Sequence, residues 1–305
     1  VKAAVVGLGT MGPGMAATLA RGGMDVRCQD VSVEQLKRAE GEVQTAFQVL
    51  ERIGGPAAAK RGTVSFDASL EAAVRDAEFV IEAVPERLDV KQQVFAELDR
   101  LAPPRAILAS NTSGIPITKL QEAVTRKDRV VGMHWSNPPQ VIPVIEVIAG
   151  NHTSSAAVET TRKIVSDLGL LPVVVRKDVP GFVENRVLYA IMRECVSLVE
   201  KGVISPEELD TCVKWGIGFK LAVIGPMELL DVAGLDIYEA VAGYLNADLD
   251  NAAGVPSFIT SRTRDRQLGM KTGRGIYEYT PERIQTLRAA RAGKLVAVRK
   301  TLEGR

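Results

Sequence analysis

In the first half of the chain, short runs rich in β-branched residues alternate with longer segments whose apolar positions recur at helical spacing. KAAVV, DVRCQ, FVIEAV, AILAS, RVVGMH and IPVIEVI read as strands, most of them apolar throughout. Such strands are buried on both faces, which is the situation in a parallel sheet covered by helices. GPGMAATLARGG, VEQLKRAEGEVQTAFQVLERIG, DVKQQVFAELDRL and SAAVETTRKIVSDLG supply the helices. The alternation predicts an α/β doubly wound sheet with right-handed crossovers.

After LLPVVVRK the strand pattern stops. FVENRVLYAIMRECVSLVEKG carries apolar residues at the period of one long amphipathic helix. Ser205-Pro-Glu-Glu208 is a capping box with proline at the first helical position, and Thr280-Pro-Glu opens a terminal helix in the same way. The boundary is set near Asp178, giving an α/β domain over 1–178 and an all-helical domain over 179–305. A chain of 305 residues has room for both, since single cores stop growing at about 250–300 residues.

Two polar residues break otherwise apolar runs. His134, one of only two histidines, interrupts RVVGMHW, and Glu146 interrupts VIPVIEVIA. A buried carboxylate is costly unless paired or hydrogen-bonded, so the economical reading is that the two side chains meet. The intervening Asn-Pro-Pro turns the chain back, so the strands can be neighbours. The carboxylate would then fix the imidazole tautomer and leave the other nitrogen free to take a proton. The plainer reading is a core histidine satisfied by a nearby glutamate. His152, in GNHTSS, reads as an exposed surface residue.

VVGLGTMGPGMAA carries Gly7, Gly9 and Gly12 as G-x-G-x-x-G between a strand and a helix. The first glycine serves a tight turn, the second a close approach to pyrophosphate, the third close helix packing. The helix would aim its free N–H groups at the phosphates. The next strand ends in Asp30, at the spacing where a carboxylate accepts from an adenosine ribose. That acid would repel a 2′-phosphate, so NAD is expected rather than NADP. A histidine base and a nucleotide turn in one domain point to alcohol oxidation, where hydride leaves carbon as the hydroxyl proton departs. Ser110, Ser113, Asn137, Glu82, Glu86 and Asn185 also fall beyond strand ends or early in the long helix.

The composition, with 46% apolar and 25% charged residues, is that of an ordinary globular protein. A net charge of +1 gives no reason to expect a nucleic-acid partner. Cys28, Cys195 and Cys212 are scattered, with no CxxC or Cys/His cluster, so neither a disulfide framework nor a metal site is expected. The chain opens on VKAAVVGLG without a charged leader, and stretches such as LGLLPVVV fall short of the ~20 residues that span a bilayer. A soluble, cytoplasmic protein acting on a small molecule is the expectation.

Taken in order, GLGTMG, EAVPE, SNTS, GMHWSNPP, IPVIEV, PGFVENR, GPMELLD and KTGRGIY resemble the 3-hydroxyacyl-CoA dehydrogenase family over nearly the whole chain. The resemblance implies a Rossmann-type NAD-binding domain and a helical C-terminal domain that forms a homodimer. It implies His134 as catalytic base, Glu146 as its orienting partner, and Ser113 and Asn185 near the reacting oxygen. For the cofactor it implies Gly7, Leu8, Gly9, Thr10, Met11 and Gly12 in the turn, with Asp30 on the ribose. Val84, Pro85, Glu86, Lys91, Asn137 and Lys271 match further cofactor-side positions.

The chain departs from the acyl-CoA members in EVQTAFQVLERIGG, where they carry a lysine-rich stretch that holds CoA and this sequence has no lysine. Lys60 and Arg61 come later and read as solvated loop charges. The pattern is closer to the branch that oxidises small carboxylate-bearing alcohols or hydrated aldehydes, a pyridine aldehyde first among them. L-gulonate and hydroxyacyl-CoA remain alternative substrates. A hydroxyisobutyrate-type dehydrogenase would need a catalytic lysine where PGFVENRVLYAIMREC supplies none. A crystallin-like or NAD-sensing protein is the non-enzyme alternative.

Overall fold

The computed structural model describes residues 1–304, and the chain divides into two compact units, Val1–Arg186 and Val187–Arg305. The first holds one eight-stranded sheet in the order β3-β2-β1-β4-β5-β6-β7-β8. Its strands are β1 (Lys2–Val6), β2 (Asp25–Gln29), β3 (Val64–Asp67), β4 (Phe79–Glu82), β5 (Ile107–Ser110), β6 (Val130–Trp135), β7 (Val144–Ile148) and β8 (Leu171–Val175). All neighbours run parallel except β6 and β7, which are antiparallel. The strand order reverses about β1 and β4, and this is the crevice where an open α/β sheet takes a ligand.

The helices that cover this sheet are α1 (Gly12–Arg21), α2 (Val33–Ile53), α3 (Leu70–Val74), α4 (Leu88–Leu101), α5 (Ile117–Gln121) and α6 (Ser155–Asp167). Serines start three of them. The hydroxyls of Ser32, Ser69 and Ser154 accept from Gln35, Ala72 and Ala157 N–H, satisfying donors that the first helical turn leaves open. Asp178 does the same for α5 from a distance, accepting from Ile117 and Thr118 N–H. Core residues lie on both sheet faces: Ala3, Val5, Phe79 and Val131 on one, Ala4, Val6, Val80 and Leu108 on the other. The period-2 split with no polar face is why these strands read as apolar runs.

Residues 179–186 pack within the first unit, and Phe182 is fully buried in its core. The helix that begins there, α7 (Glu184–Glu200), carries the chain onward. The second unit continues with helices Pro206–Cys212, Pro226–Ala233, Leu235–Asp248, Ser257–Arg264 and Pro281–Leu302. The two predicted helix starts are present. Ser205 accepts from Glu208 N–H and Thr280 from Arg283 N–H, each with proline in the first turn. Pairing among the described residues here is confined to isolated bridges at Gly269, Arg274 and Glu278. No helix among the described residues is long and apolar enough to cross a membrane.

Candidate active site

Because β1, β4, β5 and β6 are parallel, their carboxyl ends share one edge, and the polar residues that break their sequence runs collect there. The glycine turn leaves β1 at this edge. Gly7 has φ +96°, and a Cβ on it would lie 2.7 Å from the Ala83 carbonyl carbon, so the turn lies against the end of β4. A Cβ on Gly12 would lie 2.3 Å from the Gly7 carbonyl oxygen, closing the turn onto α1. Gly9 differs: nothing lies within 4 Å of its Cβ position. Of the three glycines in this turn, Gly9 alone has no protein neighbour at its Cβ position, as a surface left clear for a ligand would have.

The first turn of α1 has no side-chain cap, so its N–H groups are not neutralised by a side chain and suit a phosphate. Asp30, at the end of β2, accepts from Leu8 N–H at 2.8 Å and Ser32 N–H at 2.9 Å. These two bonds hold its carboxylate beside the turn, with the side chain half-buried. The set of glycine turn, uncapped helix start and acid fits a dinucleotide.

Beyond β4, Glu82, Lys91 and Ser110 form a network inside the protein. Lys91, on α4, is 1% exposed and gives its ammonium to Glu82 Oε1 at 2.7 Å and to the Val84 carbonyl at 3.2 Å. Ser110 donates to the other Glu82 oxygen at 2.7 Å. Glu86 lies 3.4 Å from the same ammonium and accepts from Thr112 Oγ1, Ser113 N–H and Gly114 N–H. Burial pushes the Glu86 carboxyl up, but the Thr112 bond, the Lys91 charge and the amide of Ser113 outweigh it and hold it below the ordinary carboxylate value. Lys91 is therefore an internal tie between α4 and the end of β4, Ser110 joins the end of β5 to the same Glu82, and Glu86 carries the network to the Ser113 loop.

His134 is the penultimate residue of β6 and stands directly opposite Glu146 on β7 in the antiparallel register. Nδ1 of His134 lies 2.8 Å from Glu146 Oε2, with the two residues 6% and 2% exposed. The other Glu146 oxygen accepts from the N–H groups of Val183 and Glu184 at 2.9 and 3.1 Å, at the start of α7. Burial pushes the Glu146 carboxyl up, but the His134 bond and these two amides hold it below its ordinary value. An ionised Glu146 accepts the proton on Nδ1 and leaves Nε2 as the basic nitrogen. The Phe182 ring sits 5.9 Å from the imidazole, tilted 55°. Phe182 has φ +49° beside Gly181 at φ +77°, so the chain turns sharply to bring this ring and the two amides into place.

Asn185 donates to the Ser113 carbonyl at 2.6 Å, so the Ser113 backbone is held from both sides while its side chain stays exposed. Asn137 is exposed in the β6–β7 loop, in a cis peptide bond to Pro138. Thr10 and Pro85 are also exposed, Met11 and Val84 half-buried. Lys271 belongs to the second unit, where it is exposed and lines a hollow with Arg262 and Tyr277.

Gly14, Asn111 and Glu184 also shape the site, Asn111 from the polar Ser110–Ser113 run that the sequence already showed. A Cβ on Gly14 would lie 2.5 Å from Gln140 Oε1 and 2.7 Å from Pro139 Cγ, so α1 packs directly on the loop after His134. Its signal was the extra glycine in GPG. Asn111 accepts from Trp135 N–H at 2.9 Å. Glu184 accepts the Ser136 hydroxyl. His134, Glu146 and Glu184 each place one donor atom within 4.8 Å of the others, a spacing that would also suit a cation. Glu146, however, already commits both oxygens, to His134 and to the two amides.

Two family descriptions match the chain: the NAD-binding domain of 3-hydroxyacyl-CoA dehydrogenase over residues 2–179, and its C-terminal domain over residues 181–279. The chain is 55% identical over 303 residues to a 5-formyl-3-hydroxy-2-methylpyridine 4-carboxylate 5-dehydrogenase of Mesorhizobium japonicum, covering 99% of this chain and 98% of that one. A crystal structure of an enzyme of that name, described as an NAD+-dependent dismutase, superposes with a TM-score of 0.98 at 54% identity over 100% of this chain and 99% of its own. A probable 3-hydroxybutyryl-CoA dehydrogenase of Bacillus subtilis is 36% identical, covering 90% of this chain and 96% of its own.

Proposed function

The chain belongs to the 3-hydroxyacyl-CoA dehydrogenase family and is an NAD-dependent oxidoreductase, and we propose that it oxidises a small carboxylate-bearing aldehyde in its hydrated form. The first candidate substrate is 5-formyl-3-hydroxy-2-methylpyridine 4-carboxylate, on the strength of the full-length similarity to the Mesorhizobium enzyme. The observation that carries the reading is the buried His134–Glu146 pair at the same sheet edge as the glycine turn. When bound, NAD supplies the hydride acceptor. Gly7, Leu8, Gly9, Thr10, Met11 and Gly12 would hold its phosphates, Asp30 its ribose, and Val84, Pro85, Glu86 and Asn137 its nicotinamide side, with Lys91 fixing Glu86 from inside.

In this scheme His134 takes the proton of one hydroxyl as the C–H hydride leaves, and Glu146 stabilises the imidazolium that results. Ser113 and Asn185 orient the reacting oxygen. An aldehyde hydrate is an alcohol, so no cysteine nucleophile is required. Product of one direction can serve the other: oxidation of one aldehyde reduces NAD, and reduction of a second returns it, giving the dismutation named for the solved relative. The absence of lysine in EVQTAFQVLERIGG supports a substrate without CoA.

We also read the working form as a cytoplasmic homodimer. The three cysteines are free, which suits a reducing compartment. The second unit exposes Trp215, Phe219, Val223 and Met227 by 61 to 80%, an apolar load suited to a second copy of this chain; sedimentation as a monomer would exclude it. The substrate reading is tested by a panel read through the absorbance of reduced nicotinamide, comparing the pyridine aldehyde, L-gulonate, carnitine, 3-hydroxybutyryl-CoA and acetoacetyl-CoA. The aldehyde should give the highest kcat/KM; efficient turnover of the CoA thioesters with none of the aldehyde would overturn the reading.

A further inference from the structure

The dyad that removes a hydroxyl proton needs one acid and one base, yet a second carboxylate stands beside it. Glu184 places an oxygen within 4.8 Å of a His134 ring nitrogen and of a Glu146 oxygen. A gap of that size is within the reach of one water bonded to both sides, since each hydrogen bond spans about 2.8 Å. Its side chain does not cap α7. It accepts the hydroxyl of Ser136, two residues past His134, so the loop after β6 sets its position. Its own N–H goes instead to Glu146. The residue is half-buried, unlike the fully enclosed Glu146, and so remains open to water. A first-turn acid can simply favour the helix dipole, but that role requires neither the Ser136 clamp nor the nearness to His134.

We propose that Glu184, held by Ser136, is the base that adds water to the aldehyde, so that the chain makes the geminal diol it then oxidises. The proposal rests on the aldehyde reading above. In the step, the water oxygen bonds to the carbonyl carbon and the π pair moves to the carbonyl oxygen. One water proton passes to Glu184, which returns it to solvent, and one proton from solvent reaches the former carbonyl oxygen. Nothing is oxidised. The diol then gives one hydroxyl proton to His134 and its C–H hydride to NAD, leaving a carboxylic acid. Oxidation of an ordinary alcohol, or reduction of the aldehyde, bypasses Glu184.

The test uses full-length wild type, Glu184→Gln and Ser136→Ala with 5-formyl-3-hydroxy-2-methylpyridine 4-carboxylate. Three rates are measured: exchange of the aldehyde oxygen with ¹⁸O-water without cofactor, reduction of NAD by the aldehyde, and oxidation of NADH by the same aldehyde. In Glu184→Gln the first two should fall by about 10²-fold, the scale of a lost general base, and the third by at most a few-fold. Ser136→Ala should shift the rates in the same sense by a smaller factor. The retained reductive rate guards against a merely misfolded variant. Wild-type exchange no faster than in buffer, exchange unchanged in Glu184→Gln, or equal loss in both redox directions would overturn the proposal. If wild type processes the aldehyde in neither direction, the substrate reading itself has failed and the hydration step falls with it.

Discussion

His134 and Glu146 face each other across the one antiparallel junction of the sheet, with Nδ1 and Oε2 2.8 Å apart and both residues almost wholly enclosed. The pairing follows from register, because residues directly opposite on adjacent strands bring their side chains together. Converting Glu146 to Gln keeps the shape but can present the imidazole with an amide N–H in place of an acceptor. Turnover should fall by about 10²–10⁴-fold with NAD affinity held within a few-fold, measured by steady-state kinetics and cofactor titration.

The same carboxylate ties acid stability to the site. Its folded pKa lies below the ordinary 4.5, burial being outweighed by the His134 and amide bonds. Such a group contributes stability that is fully present above that ordinary value and is lost as pH falls through the lower folded one. The stability difference between wild type and Glu146→Gln, measured in urea, should hold steady from neutral pH down to about 5 and narrow below that. A gap that widened on acidification would contradict this.

Two glycines separate packing from ligand binding. Gly12→Ala places its methyl 2.3 Å from the Gly7 oxygen and should both weaken NAD binding and lower the melting temperature. Gly9→Ala meets no protein atom within 4 Å. It should melt like wild type yet lose at least about tenfold in NAD affinity, because the proposed site brings the pyrophosphate against that backbone. Unchanged affinity in Gly9→Ala would place the cofactor elsewhere.

Lys91 offers a sharper stability test than an exposed pair. Lys91→Met leaves Glu82, 0% exposed, as an uncompensated charge and should cost about 3–5 kcal/mol in chemical denaturation. Adding Glu82→Gln to Lys91→Met should recover much of that loss. If the single variant unfolds like wild type, the Lys91 tie of α4 to the end of β4 is not structural.

The sheet, the glycine turn and the position of the histidine were legible because each has a periodic or compositional signal. β3 was not: VSFD is four residues long and alternately exposed, so it shows no apolar run. β8 lies at the sheet edge with Leu171 and Val173 exposed, so LLPVVVRK marked the end of the strand pattern without reading as a strand buried on both faces. The second half of the Glu146 environment was also invisible. Its amide partners lie at 183 and 184, fixed by the Gly181–Phe182 turn, and no local pattern links them. Lys91 entered only through the family resemblance, as a cofactor-side position, and its burial gave no signal, since lysine is almost never fully buried without a partner; its partner Glu82 becomes evident only once β4 and α4 are folded together.

In the proposed reaction His134 removes the proton that accompanies hydride transfer. A single-turnover experiment with His134→Gln, following reduced nicotinamide after mixing enzyme, NAD and aldehyde, tests it most directly. Hydride transfer should slow by about 10²–10⁴-fold while NAD binds within a few-fold of wild type. A transfer rate equal to wild type in that variant would exclude His134 as the base.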